Sequence, residues 1–551
     1  MNRPPLREIT LGDLLDEVAE RFPENDAVVY VDRDYRLTYA QFKDLTDRLA
    51  KGLMALGVGH GEKVGVWATN VPYWVALQFA TAKIGAVLLT VNTSYKREEL
   101  RYLLQNSEAE NIFVIDGFRD TDYVQTLYEL VPELKTQPRG YLKSAEFPHL
   151  KRALFLGQEK HRGFYSLPEV LAMAAMVTDE EFAARKALLS PHDVVNMQYT
   201  SGTTGFPKGV MLTHYNIGNN GYWIGENQAF TEKDRVCLPV PLFHCFGCVL
   251  GVLAAVSHGA CMVFLEVFKP LDVMAAIDQE KCTAVYGVPT MFIAILDHKL
   301  FGRFDYSSLR TGIMAGSPCP VHTMRQVMDK MNMTEITICY GLTEGSPVMT
   351  QTRVDDDIAR KTETVGRAMP EIEVRVVDPA TNEPVSPGVQ GEVCCRGYNV
   401  MKGYYNNPTA TASAIDEGGW LHSGDLGVMD ESGYLAITGR LKDMIIRGGE
   451  NVYPREIEEF IYHLDGVADV QVVGVPSRKY GEEVGAFVKL KGKTEISPED
   501  VRDFCRGRIA WHKIPRFVSF IDDYPMTASG KIQKYKLREL AAELFPEAMQ
   551  E

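Results

Sequence analysis

The chain has 551 residues and a formal net charge of −15, so it is long enough for several packed cores, and its acidity argues against nucleic-acid binding, which usually needs a basic face. Its longest apolar runs, such as Val249 to Val256, are far shorter than a bilayer span, and Met1 to Thr10 lacks the apolar stretch of a secretory signal. We therefore expect no transmembrane segment and no targeting segment, and the 10 scattered cysteines favour a reducing, cytoplasmic compartment.

The first half of the chain predicts alternating helices and strands. Apolar residues at helical spacing run from Leu11 to Phe22, and a hairpin is expected around Asp32 to Asp34. A second amphipathic helix runs from Phe42 to Leu56 and ends at Gly57. Short apolar strands follow at Val64 to Trp67, Val87 to Val91 and Ile112 to Ile115. This alternation predicts an α/β fold with parallel sheets covered by helices.

The pattern of predicted secondary structure changes twice in the second half of the sequence. After about Thr364, turn-forming pairs separate short β-rich pieces, which predicts a β-structured lobe. After Gly439-Arg440, strands and helices mix in a stretch of ordinary domain length, with one helix expected over Pro498 to Ile509. We therefore expect a large N-terminal domain over residues 1–439, with two αβ-layered sheets and the lobe, then a hinge over 440–444 and a small α+β domain over 445–551.

The run Tyr199-Thr-Ser-Gly-Thr-Thr-Gly-Phe-Pro-Lys-Gly209 is the first segment that carries chemistry, and it follows a predicted strand. Its glycines let the backbone turn and direct N–H groups at an anion, while its hydroxyls and Lys208 add donors and a cation. The run predicts a polyphosphate site, although such clusters also form plain surface loops. It is not the Walker pattern, because no Lys-Ser/Thr pair opens a helix. The residues assigned to the phosphates are Thr200, Ser201, Gly202, Thr203, Thr204, Gly205 and Lys208.

Five further motifs follow this run in order. They are Pro241-Leu-Phe-His-Cys-Phe-Gly247, Tyr340-Gly-Leu-Thr-Glu344, Trp420-Leu-His-Ser-Gly-Asp-Leu-Gly427, Gly439-Arg-Leu-Lys-Asp443 and Pro525-Met-Thr-Ala-Ser-Gly-Lys531. Together with the glycine-rich run they resemble the signatures of the acyl-adenylate-forming superfamily, which includes acyl-CoA synthetases, luciferases and adenylation domains of peptide synthetases. The resemblance spans nearly the whole chain and is closest to medium-chain fatty acyl-CoA synthetases.

The resemblance implies an ATP-dependent acid–thiol ligase that forms acyl-AMP and pyrophosphate, and then acyl-CoA and AMP, with Mg²⁺ and coenzyme A. Glu344 would bind Mg²⁺, since hard cations take oxygen ligands. Lys531 would reduce charge repulsion when the carboxylate attacks the α-phosphate. His244 would gate the passage between acyl pocket and thiol channel. The residues implied as catalytic are Thr200, His244, Glu344 and Lys531.

The resemblance also implies the nucleotide contacts. Tyr340 would stack on adenine, Thr343 would bond the α-phosphate, and Asp425 would accept the ribose hydroxyls from what the Ser-Gly-Asp sequence predicts to be a tight turn. An Asx turn without a ligand is the alternative for Asp425, and a packed interior histidine is the alternative for His244. The remaining residues implied to contact ATP or AMP are Gly316, Ser317, Pro318, Gly341 and Arg440.

Lys442 is implied as the hinge of a mobile C-terminal domain. Rotation there would bring either Lys531 or the segment Arg447 to Asn451 to the reaction centre, with Gly449 lining a narrow pantetheine channel. The residues implied to bind CoA are Arg447, Gly448, Gly449, Arg478 and Lys479, although arginines and lysines in loops are usually only solvated. A zinc site at Cys245 and Cys248 is not expected, because no second pair completes a tetrahedron.

The acid is less well specified than the reaction. Four mostly apolar segments, 222–228, 286–292, 313–318 and 340–349, are expected to form its pocket, with Tyr222, Trp223, Tyr286, Met291, Met314, Ala315 and Met349 as lining residues. A medium-chain fatty acid is the first choice, and an alicyclic or aromatic acid of the cyclohexene carboxylate or benzoate type is the second. A luciferase-like oxygenase and a non-catalytic nucleotide-binding relative stay open. Both a monomer and a homodimer are compatible with the sequence.

Overall fold

The computed structural model describes residues 5–200, 207–317, 319–448, 450–492, 494–527 and 532–549. The chain separates into two units, one of Met1–Val374 with Cys395–Leu421 and the other of Arg375–Cys394 with His422–Glu551. The second unit includes strands that the sequence analysis assigned to the N-terminal domain. The domain boundaries at residues 439 and 445 therefore stay predictions.

Two large sheets form the framework of the first unit. The nine-stranded sheet has the order Arg367–Ala368, Val348–Gln351, Thr337–Gly341, Thr311–Met314, Ala284–Gly287, Arg235–Leu238, Cys261–Phe264, Asp26–Tyr30 and Tyr35–Thr38. The eight-stranded sheet has the order Gly403–Tyr404, Lys208–Thr213, Val194–Thr200, Val87–Thr90, Lys63–Trp67, Asn111–Val114, Arg152–Phe155 and Phe164–Ser166. Their central strands pair in parallel and the antiparallel pairs lie towards the edges, which confirms the predicted α/β class.

Helices connect the strands of the first unit. The helix Tyr39–Ala55 begins three residues before the predicted start at Phe42, because Thr38 and Gln41 form a capping box that satisfies the first N–H groups. The helices are Leu11–Arg21, Tyr39–Ala55, Pro72–Ile84, Arg97–Ser107, Tyr123–Leu130, Leu167–Met173, Asp179–Lys186, His214–Asn227, the π-helix Phe246–Leu253, Ala254–Ser257, Pro270–Glu280, Pro289–Leu296, Val321–Lys330, Ile358–Glu363 and Pro408–Ala414. A two-stranded ribbon joins Gly117–Phe118 to Thr121–Asp122. Among the described residues, none of the helices is both long and apolar enough to cross a bilayer.

Two buried apolar clusters hold these layers together. One contains Val285 and Met314 from the nine-stranded sheet and Phe292 from a neighbouring helix. The other contains Trp67 from the eight-stranded sheet and Leu103 from the helix Arg97–Ser107. Continuous apolar runs, rather than alternating ones, mark these strands in the sequence because helices bury both faces of a parallel sheet.

The later part of the chain forms smaller sheets. One has the order Ile372–Val377, Gln390–Gly397, Leu421–Met429 and Leu435–Arg440. The other, in the second unit, has the order Glu450–Val452, Ile445–Arg447, Gly481–Leu490 and Val467–Ser477, with Phe517–Phe520 also paired to Gly481–Leu490. The helices Pro454–Ile461, Pro498–Cys505 and Lys534–Leu544 complete the α+β composition that the sequence predicted.

One helix of this part is shorter than predicted. The sequence pattern extends it to Ile509, but the structure ends it at Cys505. Arg506 has φ −60° and ψ 130°, which is extended backbone, and its N–H caps the helix by bonding to the Arg502 carbonyl. The prediction was too long because the apolar spacing continues to Ile509, whereas the backbone leaves the helical conformation at Arg506.

A fully buried lysine on the helix Pro72–Ile84 pairs with acidic residues of two other helices of the first unit. The Lys83 side chain is 0% exposed, and its ammonium pairs with Asp16 at 2.6 Å and with Asp47. Burial alone would raise the pKa of Asp16, but the ammonium groups of Lys83 and Lys186 outweigh it and lower that pKa below its usual value. A carboxyl group with a lowered pKa stabilises the fold above its usual titration range, and that contribution is lost as the pH falls through the range.

We expect the substitution Lys83→Met to lower the free energy of unfolding at pH 7 by roughly 3 kcal/mol, because it removes one partner of a buried ionic cluster. The difference from the parent chain should shrink as the pH falls below about 4 and Asp16 takes up a proton. Denaturant unfolding at several pH values measures both effects. The control is Lys43→Met, since Lys43 pairs with Asp47 but is 39% exposed and should cost under about 1 kcal/mol. Equal losses in the two variants would contradict a special role for the buried lysine.

Candidate active site

Predicted nucleotide-binding residues follow two neighbouring strands of the nine-stranded sheet. The strand Thr311–Met314 leads into Gly316 and Ser317, which are exposed, and Tyr340 lies half-buried at the end of Thr337–Gly341. These strands are parallel, so their carboxyl ends meet at one edge, where ligands of α/β folds usually bind. Pro318, which was assigned to the same rim, lies outside the described residues.

Gly341 allows an unusually close backbone approach at this edge. A Cβ atom at this position would lie 1.8 Å from the Pro347 carbonyl oxygen. Thr343, assigned to the α-phosphate, is buried in the short helix Thr343–Gly345 just beyond, with its hydroxyl 3.8 Å from the Cys245 thiol. The close approach of Gly341 to Pro347 keeps Thr343 and Glu344 near the end of the strand Thr337–Gly341.

Glu344 is a nearly buried carboxylate with a defined set of partners. The residue is 9% exposed. Its Oε1 accepts hydrogen bonds from the Tyr404 hydroxyl at 2.8 Å and the Thr200 hydroxyl at 3.3 Å. Within the described part of the chain, Oε2 accepts none. A fixed carboxylate with one oxygen in reserve suits a hard cation such as Mg²⁺.

Tyr404 is a site residue that the sequence analysis missed. It lies in the edge strand Gly403–Tyr404, opposite Val210, and its ring centroid is 4.8 Å from the Lys208 ammonium. Burial, followed by the neighbouring Glu344 charge, raises the pKa of the Tyr404 hydroxyl, so this group stays a hydrogen-bond donor. Its partner Glu344 is 60 residues away in sequence, and no local pattern could have revealed the pair.

Backbone hydrogen bonds fix the edge strand to the rest of the site. The N–H of Met401 donates to the Glu344 carbonyl at 2.9 Å, and the N–H of Tyr405 donates to the Gly209 carbonyl at 2.8 Å. The segment 401–405 thus joins the Glu344 turn to the strand that follows the glycine-rich run. Six residues of that run lie outside the described residues, namely Ser201, Gly202, Thr203, Thr204, Gly205 and Phe206.

His244 lies just before the π-helix Phe246–Leu253. Its Nδ1 accepts a hydrogen bond from the Phe246 N–H at 3.1 Å, so the neutral ring carries its proton on Nε2. The Phe246 ring stacks on Tyr286 with centroids 6.0 Å apart and planes at 27°. His244 is thereby linked to a predicted pocket wall, and its gating role stays a prediction.

The predicted acyl-pocket residues are mostly buried. The hydroxyl of Tyr286 accepts a hydrogen bond from the Gln228 amide at 2.5 Å, and the helix His214–Asn227 is fastened by the Asn220 amide, which donates to the Val348 carbonyl at 2.8 Å. Tyr286, Met314 and Met349 are 0% exposed, Trp223 and Ala315 are also buried, and Met291 is half-buried.

Tyr222 has different surroundings from the other predicted pocket residues. Its half-buried ring stacks on His258, with centroids 5.3 Å apart and planes at 15°. His258 in turn contacts the Glu226 carboxylate at 3.2 Å. These polar neighbours do not identify Tyr222 as a pocket wall, and that assignment stays a prediction.

Asp425 lies within a strand, so the predicted tight turn is wrong. The strand Leu421–Met429 runs through it, and Asp425 pairs with Arg440 in register. The Arg440 Nε is 3.2 Å from Asp425 Oδ1, and the two side chains are 61% and 14% exposed. Ser-Gly-Asp sequences favour turns locally, but pairing with Leu435–Arg440 prevails here. The two predicted ribose contacts are therefore neighbours.

A second acidic residue shapes the backbone before Asp425. Glu392 Oε1 accepts a hydrogen bond from the Gly424 N–H at 2.9 Å, and Oε2 is 2.9 Å from His422 Nδ1. Gly424 has φ +72°, a conformation that disfavours other residues. The Ser423 hydroxyl donates to the Val393 carbonyl at 2.6 Å and accepts from the Asp425 N–H at 3.1 Å. Glu392 and Ser423 thus position Asp425.

The predicted hinge residue lies in a short helix, Leu441–Asp443. Lys442 is exposed, and its carbonyl accepts a hydrogen bond from Arg538 at 2.9 Å, while Asp443 pairs with the same guanidinium at 2.8 Å. Arg538 belongs to the helix Lys534–Leu544. The segment is therefore anchored within the second unit, and a hinge role for Lys442 stays a prediction.

Arg447, assigned to CoA, is engaged within the second unit. Its guanidinium forms two hydrogen bonds to the fully buried Glu483, at 2.6 and 3.0 Å. It also lies 4.9 Å from the ring centroids of both Tyr480 and Trp511. These contacts give Arg447 a structural role that the sequence did not reveal.

The other residues assigned to CoA lie nearby. Gly448 has φ +61° and donates its N–H to the Tyr480 carbonyl at 2.8 Å. Arg478 and Lys479 are exposed, and the Lys479 ammonium is 5.0 Å from the Tyr480 ring centroid. Gly449 and Lys531 lie outside the described residues.

Comparisons with known proteins show which proteins this chain is similar to. The family model of the AMP-binding enzymes matches residues 15–405, and that of the AMP-binding enzyme C-terminal domain matches residues 456–531. YngI of Bacillus subtilis, which is named as a candidate acyl-CoA synthetase, is 56% identical over 97% of this chain and 98% of its own length. The mitochondrial medium-chain acyl-CoA ligase ACSF2 of Bos taurus is 40% identical over 96% of this chain and 87% of its own.

A solved structure extends the similarity to a complex with a reaction intermediate. The anthranilate CoA ligase AuaEII in complex with anthranoyl-AMP superposes with a TM-score of 0.84 and 26% identity, covering 98% of each chain. The similarity thus includes a relative whose bound group is an acyl-adenylate.

We expect Tyr404→Phe to weaken ATP binding about tenfold in the presence of Mg²⁺, because a lost hydrogen bond to a charged group costs about 1.5 kcal/mol. Without Mg²⁺ the effect should be smaller, since the ring beside Lys208 is retained. Calorimetric titration with and without the cation measures both dissociation constants.

Tyr405→Phe is the matched control. Its hydroxyl donates to Glu108 at 2.6 Å instead of to Glu344, so ATP affinity should stay unchanged. Equal affinities in the two variants would exclude a positioning role for Tyr404.

Proposed function

The chain belongs to the AMP-binding enzyme family and is an AMP-forming acid–CoA ligase, and on that premise we propose that its acid is a medium-chain fatty acid. The observation that carries the proposal is the apolar set Tyr286, Met314 and Met349, each 0% exposed. An aliphatic chain buried against such groups gains about 0.8 kcal/mol per methylene. The medium-chain ligase ACSF2 supports the same choice.

The acidic residues in the described pocket segments do not favour an amino acid as substrate. Glu226 is exposed and contacts His258, and Glu344 is held by Tyr404 and Thr200. Glu226 is not buried, and Glu344 is the carboxylate that we assign to Mg²⁺. A substrate amino group would therefore lack the buried carboxylate that its charge requires.

A ring acid of the benzoate or cyclohexene carboxylate type is the second candidate. The stacked rings of Phe246 and Tyr286, together with the buried Trp223, favour a flat substrate. The anthranilate CoA ligase among the similar structures supports this alternative. Pocket depth decides between the two, since a ring needs width and a chain needs length.

In the proposed reaction the carboxylate attacks the α-phosphate of ATP and releases pyrophosphate, and the thiol of CoA then attacks the acyl carbon and releases AMP. Tyr340 stacks on adenine, Thr343 bonds the α-phosphate and Asp425 holds the ribose. Lys208 and Lys531 offset the negative charge that collects as the carboxylate meets the phosphate. Mg²⁺ held by Glu344 would neutralise phosphate charge. Rotation about Lys442 lets Lys531 serve the first step only.

The acid preference is tested by the release of AMP with CoA and a series of acids. We expect kcat/KM to rise about fourfold per added methylene along straight-chain acids until the pocket is filled. Benzoate and cyclohexene carboxylate should be poorer substrates than the best straight-chain acid. A higher kcat/KM for either ring acid would reject the medium-chain proposal and leave the ligase reaction itself intact.

The division of labour is tested with Lys531→Ala. We expect acyl-AMP formation to fall at least about a hundredfold, because a charge-stabilising group is lost from the transition state. Thioester formation from supplied acyl-AMP and CoA should be retained. The exposed residue Lys536 provides the control as Lys536→Ala. If Lys531→Ala forms acyl-AMP normally but makes no thioester, the assignment is wrong.

A further inference from the structure

Three metal-ligating side chains meet on the four-stranded sheet, outside the residues used by the ligase reaction. Glu392 and Cys394 alternate on the strand Gln390–Gly397 and so share one face. His422 lies on the neighbouring strand Leu421–Met429. The thiol is 3.4 Å from His422 Nδ1, which is 2.9 Å from Glu392 Oε2, and all three donor atoms lie within 4.8 Å of one another.

The surroundings of this cluster suit a bound cation. Cys394 is 0% exposed and Glu392 8%, while the His422 side chain is 21% exposed and opens the cluster to solvent. The second carboxylate oxygen, Glu392 Oε1, is fixed by the Gly424 N–H at 2.9 Å. The backbone therefore holds the carboxylate in place and leaves Oε2 beside the imidazole, 2.9 Å from Nδ1.

We propose that Glu392, Cys394 and His422 bind one divalent transition-metal ion of the zinc type through Oε2, Sγ and Nδ1, with a water as the fourth ligand. Thiolate, imidazole and carboxylate are the ligands that Zn²⁺ and Co²⁺ share. This site is separate from Glu344, whose oxygen ligands suit Mg²⁺.

The observed spacing is close to that of a tetrahedral site. Bond lengths of about 2.3 Å to sulfur and about 2.0 Å to nitrogen and oxygen place S and N about 3.6 Å apart and N and O about 3.3 Å apart. The structure has 3.4 and 2.9 Å, so these two distances need to increase by only a few tenths of an ångström, while the sulfur and the carboxylate oxygen lie within 4.8 Å of each other. Metal binding releases the thiol proton to solvent and leaves the imidazole proton on Nε2.

The strand also provides a matched control. Cys395 is the next residue and is equally buried, but successive side chains on a strand point to opposite faces. Its thiol accepts a hydrogen bond from the Asn399 amide at 3.5 Å and lies apart from the metal-ligating group. Cys394→Ser and Cys395→Ser therefore make the same chemical change, sulfur to oxygen, at two adjacent buried positions, and only the first removes a proposed metal ligand.

The test is a titration of the full chain, first stripped with a chelator, with Co²⁺ alone. We expect one equivalent to give the visible bands of tetrahedral cobalt and a thiolate-to-cobalt charge-transfer band in the near ultraviolet. Cys394→Ser should abolish the charge-transfer band, and Cys395→Ser should retain it. His422→Gln should weaken Co²⁺ binding at least tenfold, because even outer-shell partners contribute about that factor.

Circular dichroism first confirms that each variant is folded, and Cys394→Ala replaces any serine variant that is not. The absence of the charge-transfer band from the parent chain, or its persistence in the folded Cys394 variant, would overturn the proposal and leave the three residues as a hydrogen-bonded pair beside a thiol. Because the titration contains no ATP, acid or CoA, its outcome is independent of the ligase proposal.

Discussion

The burial of the Glu344 carboxylate is the constraint on which the nucleotide-binding half of the first unit depends. A charged oxygen removed from water needs hydrogen bonds, and Glu344 receives them from Tyr404 and Thr200, which are 60 and 144 residues distant in sequence. The same edge strand that supplies Tyr404 also places a ring beneath Lys208. The need of one buried carboxylate for hydrogen-bond donors therefore brings together three segments: Thr200 and Lys208 of the glycine-rich run, the Glu344 turn and the segment 401–405.

A second glutamate has a comparable task in the other unit. Glu392 divides its two oxygens between a backbone N–H and an imidazole, and the backbone contact falls on Gly424, next to Asp425. The backbone before Asp425, the proposed ribose contact, thus depends on a second carboxylate. In both units an acidic residue fixes backbone geometry as well as charge, which explains why motif residues alone describe only part of each site.

The sequence predicted the elements whose signals are local. Helical spacing from Phe42 to Leu56 and continuous apolar runs such as Val64 to Trp67 were sufficient for the α/β fold, because periodicity and burial act over neighbouring residues. The Tyr340-Gly-Leu-Thr-Glu344 motif likewise singled out Glu344, whose role as a magnesium ligand stays a prediction. Tyr404 and the Arg447–Glu483 pair were not predictable, since each depends on strand pairing between distant segments. The same competition between local and distant preferences decided the strand at Asp425.

The π-helix Phe246–Leu253 has a consequence for how this chain is compared with its relatives. Its hydrogen bonds span five residues instead of four, so the segment accommodates one residue more than an α-helix of equal rise. In evolutionary terms it has the form of a single-residue insertion between His244 and the helix Ala254–Ser257. A relative with an α-helix here would have one residue fewer, so its alignment with this chain needs a one-residue gap. Without that gap, the residue aligned with His244 would be wrong by one position, which corresponds to about 100° around the helix axis.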